Sequence, residues 1–233
     1  MQFNNKSGLE VWRASEWQQF IPDAVSSGHG VLDDELPGGG WPQGAVTDLL
    51  YERDGIGELR ILLPALARLS RQQERWVLWV APPAIPYAPA LQAAGVDLSR
   101  VLVVRADSLK DRLWAIEQAL AGGECSAVLG WPGDIAAGEL RRLQLAARKG
   151  NSLCFLLRDS IYAQQSAVAA LRVKLSADLQ GVGVEILKRR GGWPVSRFVV
   201  GLDSPAPESG LPAETAAEVI RGPWAETSPV RVQ

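Results

Sequence analysis

A glycine-containing loop after a short apolar run is the segment whose residue types and spacing could do chemistry. Residues 45–50 are predicted to be a strand, and residues 51–59 follow it with glycines at positions 55 and 57. A phosphate-binding loop has this placement: its backbone N–H groups surround the phosphates, a lysine reaches the terminal phosphate and a hydroxyl binds magnesium. The position of the loop therefore indicates a nucleotide site.

The side chains of this loop do not supply that chemistry. Glu58 stands where the lysine should be, and Leu59 stands where the magnesium-binding hydroxyl should be. One charge pair at about 4 Å in an effective dielectric of about 20 is worth roughly 4 kcal/mol, and reversing its sign costs on the order of twice that. We therefore expect Gly55, Gly57, Glu58 and Leu59 to form a degenerate loop that binds no cofactor.

Two other predicted strand ends lack the acids that nucleotide hydrolysis needs. Residues 130–132 (GWP) follow a strand where an acid should hold the metal, and residues 81–83 (APP) follow a strand where a carboxylate should activate water. The single histidine, His29, lies between two glycines and is interpreted as a solvated loop residue. The sequence thus predicts a protein that is not an enzyme.

Composition limits the remaining classes of function. The chain has 233 residues, 47% hydrophobic residues and a formal net charge of −2, so it lacks the global basic excess of many nucleic-acid-binding proteins. No apolar run approaches the roughly 18 residues that span a bilayer, and residues 1–10 do not resemble a signal peptide. Cys125 and Cys154 are interpreted as buried free thiols, which predicts no metal site and a cytoplasmic location.

Apolar runs alternate with helix-length amphipathic segments behind these loops, which is typical of βαβ units and a parallel sheet. Strands are predicted at residues 45–50, 76–80, 101–104, 127–129 and 153–157, and helices at residues 60–73, 89–94, 108–121 and 138–149. Three further β-like segments lie at residues 170–176, 183–188 and 196–201. Because a hairpin signal at residues 189–192 separates the last two, we expect an antiparallel extension of the sheet.

The two ends of the chain differ from this core. Residues 8–20 have apolar side chains near helical spacing, and from residue 203 onward five prolines and an acidic excess predict a flexible tail. The predicted domains are an N-terminal helix (1–25), a core with the degenerate loop (26–202) and the proline-rich tail (203–233).

Basic and aromatic residues suggest contact surfaces. A predicted helix carries Arg141, Arg142, Arg148 and Lys149, and the last hairpin carries a second basic group beside a tryptophan. The hairpin group is the better candidate for DNA contact because an aromatic ring can stack on a base; its members are Lys188, Arg189, Arg190, Trp193 and Arg197. For both groups a solvated face is the alternative.

The nine tryptophans are candidate interface anchors where they are exposed. Trp114 fits a core pattern, whereas Trp41 lies in a predicted loop. Partner contacts are expected from Trp12 and Trp17 in the N-terminal helix and from Trp224 in the tail.

Residues 36–50 (LPGGGWPQGAVTDLL), 90–103 (ALQAAGVDLSRVLV) and 170–202 resemble segments of RecA in the same order and spacing. The resemblance implies an α/β fold with a RecA-like, mostly parallel central sheet flanked by helices. RecA contacts single-stranded DNA through two loops, the second of which should follow residue 157, where only the short link 158–165 stands. Direct DNA contact is therefore expected to be weak or indirect.

Within that superfamily the sequence resembles the ImuA group of translesion-synthesis accessory proteins, through residues 11–14 (VWRA), 38–42 (GGGWP) and 55–60 (GIGELR). The resemblance implies a non-catalytic accessory protein of the SOS response to DNA damage, active in error-prone DNA repair and mutagenesis. The implied partners are an ImuB-type Y-family polymerase-like protein, RecA and a DnaE2-type polymerase.

Two other functions remain open. SulA, the SOS inhibitor of cell division that blocks FtsZ, is a related RecA-like protein without a P-loop; it is shorter, so the length and the glycine-rich loop favour ImuA. An ATPase or recombinase is the third hypothesis, and Glu58 and Leu59 argue against it.

Overall fold

The computed structural model describes residues 23–165 and 168–202, and its strands form one large sheet and one small one. The strands of the described part are β1 (Ala24–Val25), β2 (Trp41–Pro42), β3 (Ala45–Tyr51), β4 (Trp76–Val80), β5 (Val101–Val104), β6 (Cys125–Gly130), β7 (Leu153–Asp159), β8 (Leu171–Asp178), β9 (Gly181–Arg189) and β10 (Val195–Val200). The large sheet has the order β10-β9-β8-β3-β7-β6-β4-β5, and β1 pairs with β2.

The large sheet is parallel from β8 to β5 and antiparallel at its other edge. β3 pairs in parallel with both β7 and β8, and the parallel pairing continues through β6 and β4 to β5. β9 is antiparallel to β8, and β10 is antiparallel to β9. The predictions of a parallel sheet and of an antiparallel C-terminal extension are therefore confirmed.

Helices cover both faces of the parallel part. They are α1 (Gly30–Asp33), α2 (Leu63–Gln72), α3 (Ala88–Ala93), α4 (Leu109–Gly122) and α5 (Ala137–Gly150), with short 3₁₀ turns at Leu98–Arg100 and Ser160–Gln164. Ser108 caps α4 by accepting a hydrogen bond from the Asp111 N–H at 3.1 Å, and Gly123 ends it in the left-handed conformation. α4 and α5 pack against each other and against β6 and β3.

The helix after the degenerate loop begins later than the sequence predicted. A helix starting at residue 60 would need the Pro64 N–H as a donor, and proline has none. α2 instead starts at Leu63, so that Pro64 falls in its first turn, where no intrahelical donor is needed.

Each face of the sheet has its own apolar core. One contains Trp41, Trp79, Phe155 and the buried residues of α2, and the Trp41 and Phe155 rings meet edge to face with centroids 5.3 Å apart. The other is formed by α4, α5 and the opposite faces of the same strands. Burial on both faces explains why β4 and residues 153–157 of β7 are uninterrupted apolar runs in the sequence.

Two expectations about tryptophans are wrong. Trp41 is fully buried, because it belongs to β2 and packs on the sheet, whereas Trp114 on α4 is 64% exposed. The helical period assigned Trp114 to the buried face, but Leu113, Ile116 and Leu120 fill that face alone.

Cys125 and Cys154 are buried free thiols, as expected, and burial raises the pKa of both. Among the described residues, no helix has the length and apolar character needed to span a membrane. The predicted helix at 8–20, with Trp12 and Trp17, and the tail with Trp224 lie outside the described residues.

Candidate functional site: a closed loop at the carboxyl edge of the sheet

The candidate site lies where the parallel strands end. The carboxyl ends of β3, β4, β6 and β7 line one edge of the sheet, and open α/β sheets bind ligands at this edge. The degenerate loop leaves β3 here and runs to the start of α2 at Leu63. Because α2 begins five residues after Glu58, its first residue does not directly follow the loop glycines.

The carboxylate of Glu58 closes the loop from inside. Its Oε2 accepts hydrogen bonds from the Gly55 N–H at 3.0 Å and from the Gly57 N–H at 3.2 Å, and its Oε1 lies 3.2 Å from the same Gly55 nitrogen. The side chain is buried within the loop, since Glu58 is only 7% exposed. A negatively charged group thus occupies the backbone donors that a phosphate would use.

A residue from the far end of the core covers the same loop. The backbone of Gly57 has φ +109°, and a Cβ built on it would lie 2.5 Å from Cδ1 of Leu202. The guanidinium of Arg60 donates to the Leu202 carbonyl oxygen. Glycine is therefore favoured at position 57 by its backbone conformation, and a side chain there would displace the methyl group of Leu202.

Aromatic side chains stand where the metal-holding acid would be. Trp131, directly after β6, stacks on Trp79 with ring centroids 5.7 Å apart and donates from Nε1 to the Tyr51 hydroxyl at 3.2 Å. Burial and the neighbouring Asp54 raise the pKa of Tyr51, so its hydroxyl stays protonated. Within the described ranges no group of three or more His, Cys, Asp or Glu residues could hold a metal ion.

The closed loop makes a testable prediction. In the variant Glu58→Ala the N–H groups of Gly55 and Gly57 lose their acceptor, so the free energy of unfolding should fall by about 1.5–3 kcal/mol, the range for hydrogen bonds to a charged group. Added phosphate should recover part of that loss by binding the freed donors. Thermal unfolding in phosphate and in chloride of equal ionic strength measures both effects.

Glu52→Ala is the matched control, because Glu52 is an exposed acid of the same loop. It should change neither the stability nor the response to phosphate. Equal stabilisation of wild type and Glu58→Ala by phosphate would show that the carboxylate does not close an anion site.

The basic residues of the last hairpin do not form one surface. Arg189 donates to the Glu35 carbonyl oxygen and lies 3.4 Å from the Glu35 carboxylate. Arg197 pairs with Asp178 at 2.6 Å, and Trp193 is 86% exposed. Lys188 and Arg190 instead line a cleft shared with α5. Contact with DNA by this set of five stays a prediction, but the set is divided between separate environments.

A buried charge cluster was not foreseen from the sequence. Asp48, inside β3 and fully buried, lies 3.3 Å from Nη1 of Arg158 and 3.1 Å from Nε of Arg172. Arg172 also donates to the carbonyl oxygens of Tyr162 at 2.8 Å and Gln165 at 2.7 Å. The cluster therefore fixes the 3₁₀ turn after β7 to the centre of the sheet.

Comparisons with known proteins match the part of the chain that carries the closed loop. A family model described as cell division inhibitor SulA matches residues 44–154. The cell division inhibitor SulA of Yersinia enterocolitica is 31% identical over 135 residues, which are 57% of this chain and 80% of the relative. That of Edwardsiella piscicida is 38% identical over 100 residues, covering 43% of this chain and 60% of the relative.

A solved structure gives a weaker match. The crystal structure of SulA from Pseudomonas aeruginosa has a TM-score of 0.42 at 28% identity, covering 48% of this chain and 96% of that one. The family assignment follows from the sequence matches.

The fold and the loop define a mixed α/β protein with a mostly parallel sheet and a phosphate-loop position filled by its own carboxylate. The chain belongs to the family of the cell division inhibitor SulA.

This assignment corrects the resemblance to the ImuA group. The expected role in translesion synthesis, DNA repair and mutagenesis is wrong, and so are the expected ImuB-type, RecA and DnaE2-type partners. The alternative, SulA, is the one that the relatives support.

Proposed function

We propose that this chain is an inhibitor of cell division in the SOS response and that it acts by binding FtsZ. The observation that carries the proposal is the match over residues 44–154 to a family named for inhibition of cell division. FtsZ is the partner that membership of this family implies. Inhibition by binding requires no catalytic group, which agrees with a loop closed by Glu58.

We further propose that residues 26–202 are a RecA-like core that has exchanged nucleotide binding for partner binding. Three features support this view: the carboxylate of Glu58 on the loop donors, Trp131 after β6, and Leu202 packed over Gly57. Each occupies a place that a nucleotide-hydrolysing site needs for phosphate or metal. An ATPase function would require all three to move.

The edge strand β5 offers a surface for such a partner. It pairs only with β4, so one side of its backbone lacks a strand neighbour in the described sheet. Leu102 and Val103 are both exposed, on opposite faces of the strand. An apolar edge strand is suited to binding another chain by strand addition and hydrophobic contact.

Assembly of FtsZ tests the function. Sedimentation of GTP-dependent FtsZ polymers from the same organism should show a falling polymer yield as the purified protein is added. Expression in cells should produce filaments that fail to divide. An unchanged polymer yield with the protein in excess over FtsZ would refute the proposed function.

The variant Val103→Lys tests the surface, because a lysine on an edge strand opposes strand addition. We expect its apparent affinity for FtsZ to fall about tenfold or more, which corresponds to about 1.4 kcal/mol. Val31→Lys is the control, since Val31 is an equally apolar exposed residue on α1. If both variants inhibit as the wild type does, the function stands and the β5 edge is not the surface.

A further inference from the structure

A cationic cleft lies on the sheet face that carries α5, away from the closed loop. Its volume is about 510 Å³, and it lies between α5, the segment before β8 and the end of β9. Its main lining residues are Arg141, Leu145, Arg148, Val168, Lys188 and Arg190. The lining contains four basic side chains and no acidic one.

The helical period explains how α5 contributes to this cleft. Positions 141, 145 and 148 are spaced by four and three residues, so Arg141, Leu145 and Arg148 share one face of the helix. Arg142 lies on another face, where it pairs with Glu117 of α4 at 3.5 Å. The two basic groups singled out in the sequence therefore contribute two residues each to one cleft.

Three of the four cations that line the cleft lack an acidic partner among the described residues. Arg141, Arg148 and Arg190 take part in none of the salt bridges found among the described residues. Partial burial and the neighbouring Arg172 lower the pKa of Lys188, as expected where cations are crowded. The floor is apolar and open to solvent, since Leu145 is 59% and Val168 44% exposed.

We propose that this cleft binds the acidic segment 203–233 of the same chain. That segment contains five acidic residues (Asp203, Glu208, Glu214, Glu218, Glu226) and two arginines (Arg221, Arg231). Apolar side chains for the exposed floor stand beside the acids, at Val219 and Ile220. Charge of opposite sign and an apolar stretch within one segment match the two features of the cleft.

The segment can reach the cleft. It follows Leu202, which is held over the closed loop, and the cleft lies toward the opposite end of β9. The nine residues of β9 span about 30 Å at roughly 3.3 Å per residue. Eleven extended residues, from Leu202 to Ala213, cover up to about 36–40 Å.

A paramagnetic label on the intact chain tests the contact. Cys125 and Cys154 are buried, so a nitroxide attaches selectively to a cysteine introduced by Thr215→Cys, between Glu214 and Glu218. In isotope-labelled protein at low salt, the amide signals of residues 141–148 and 188–190 should lose intensity. They should recover at about 1 M salt, where the Debye length is about 3 Å.

Two double variants with equal charge change separate the cleft from the helix as a whole. The first variant combines Arg141→Glu and Arg148→Glu, and it should abolish the intensity loss. The second combines Arg142→Glu and Lys149→Glu, which lie on α5 outside the cleft lining, and it should preserve the loss. Identical behaviour of the two variants, or no loss at low salt, would overturn the proposal.

Two further controls identify the occupant. A mixture of nitroxide-labelled and isotope-enriched copies distinguishes binding within one chain from binding between copies. In that mixture the nitroxide and the isotope are on different copies, so an equal loss of amide intensity there would overturn binding within the same chain. If the nitroxide causes no intensity loss but added single-stranded DNA shifts the amide signals of the cleft, the cleft is a nucleic-acid site instead.

Discussion

Replacing Asp48 with asparagine is expected to lower the free energy of unfolding by about 3–5 kcal/mol, the range for breaking a buried ion pair from one side. The variant Asp48→Asn keeps the shape of the side chain but leaves Arg158 and Arg172 buried, at 3% and 5% exposure, without an anion. Arg172 also donates to three backbone carbonyl oxygens of the segment after β7, and Arg158 donates to the side-chain oxygen of Gln165, so that segment should loosen first. Urea unfolding followed by circular dichroism gives the stability.

Glu117→Gln is the control for this experiment. It removes the acid of another ion pair, but Arg142 is 58% exposed there, and such pairs contribute at most about 1 kcal/mol. If Asp48→Asn costs no more than Glu117→Gln, the buried cluster does not stabilise the fold. Hydrogen exchange of residues 160–165 would then also stay unchanged, because nothing would have released the 3₁₀ turn.

The sequence predicted the layers of the fold because its central parallel strands β4, β6 and β7 are buried on both faces. Apolar runs such as residues 76–80 and 153–157 have few alternatives to a central strand, and the helices between them have a clear period. The start of α2 was misplaced because the apolar period continues upstream of Pro64, whereas the missing N–H of proline decides where the helix can begin.

The sequence predicted the degenerate loop only from the lysine and the hydroxyl that it lacks. Glu58 in place of lysine indicated that phosphate would be repelled, but the sequence does not show that its carboxylate turns inward onto the N–H groups of Gly55 and Gly57. The structure supplies the physical reason for the residue type: the loop keeps its donors, and an internal anion takes the place of an external one.

Contacts between distant positions could not be predicted from local patterns. Asp48 meets Arg158 and Arg172, which follow it by 110 and 124 positions, and no periodicity links them. The hairpin arginines were grouped because they are neighbours in sequence. Side chains alternate between the two faces of β9, and the pairing of β9 with β8 is irregular near Arg172. Lys188 therefore lines the cleft, whereas Arg189 contacts Glu35.

The choice of the wrong family has a physical explanation as well. The resemblance to ImuA was preferred because of the glycine-rich loop at residues 36–44 and the chain length. Most of that loop lies outside the matched residues 44–154, and so does everything after residue 154. The matched part contains β3 to the start of β7 with the closed loop. Extensions and surface loops vary more among proteins of one fold than the packed elements that they connect.

Replacing Gly150 with alanine should have the second large effect on stability. A Cβ at this position would lie 1.8 Å from the Leu120 carbonyl oxygen, where the last turns of α4 and α5 cross. The clash is with backbone, so α5 must shift away from α4, and overpacking of this kind costs about 1–3 kcal/mol or more. The shift would also pull the Gly150 carbonyl oxygen from Arg75, which now donates to it at 2.7 Å.

Gly122→Ala is the matched control, because Gly122 is the last residue of α4 and a Cβ there meets nothing within 4 Å. It should leave stability unchanged or raise it by up to about 1 kcal/mol, since alanine favours the helix. Thermal unfolding of both variants gives the comparison. Equal stability would mean that α4 and α5 can separate at no cost, which would contradict a contact between their last turns as close as the structure shows.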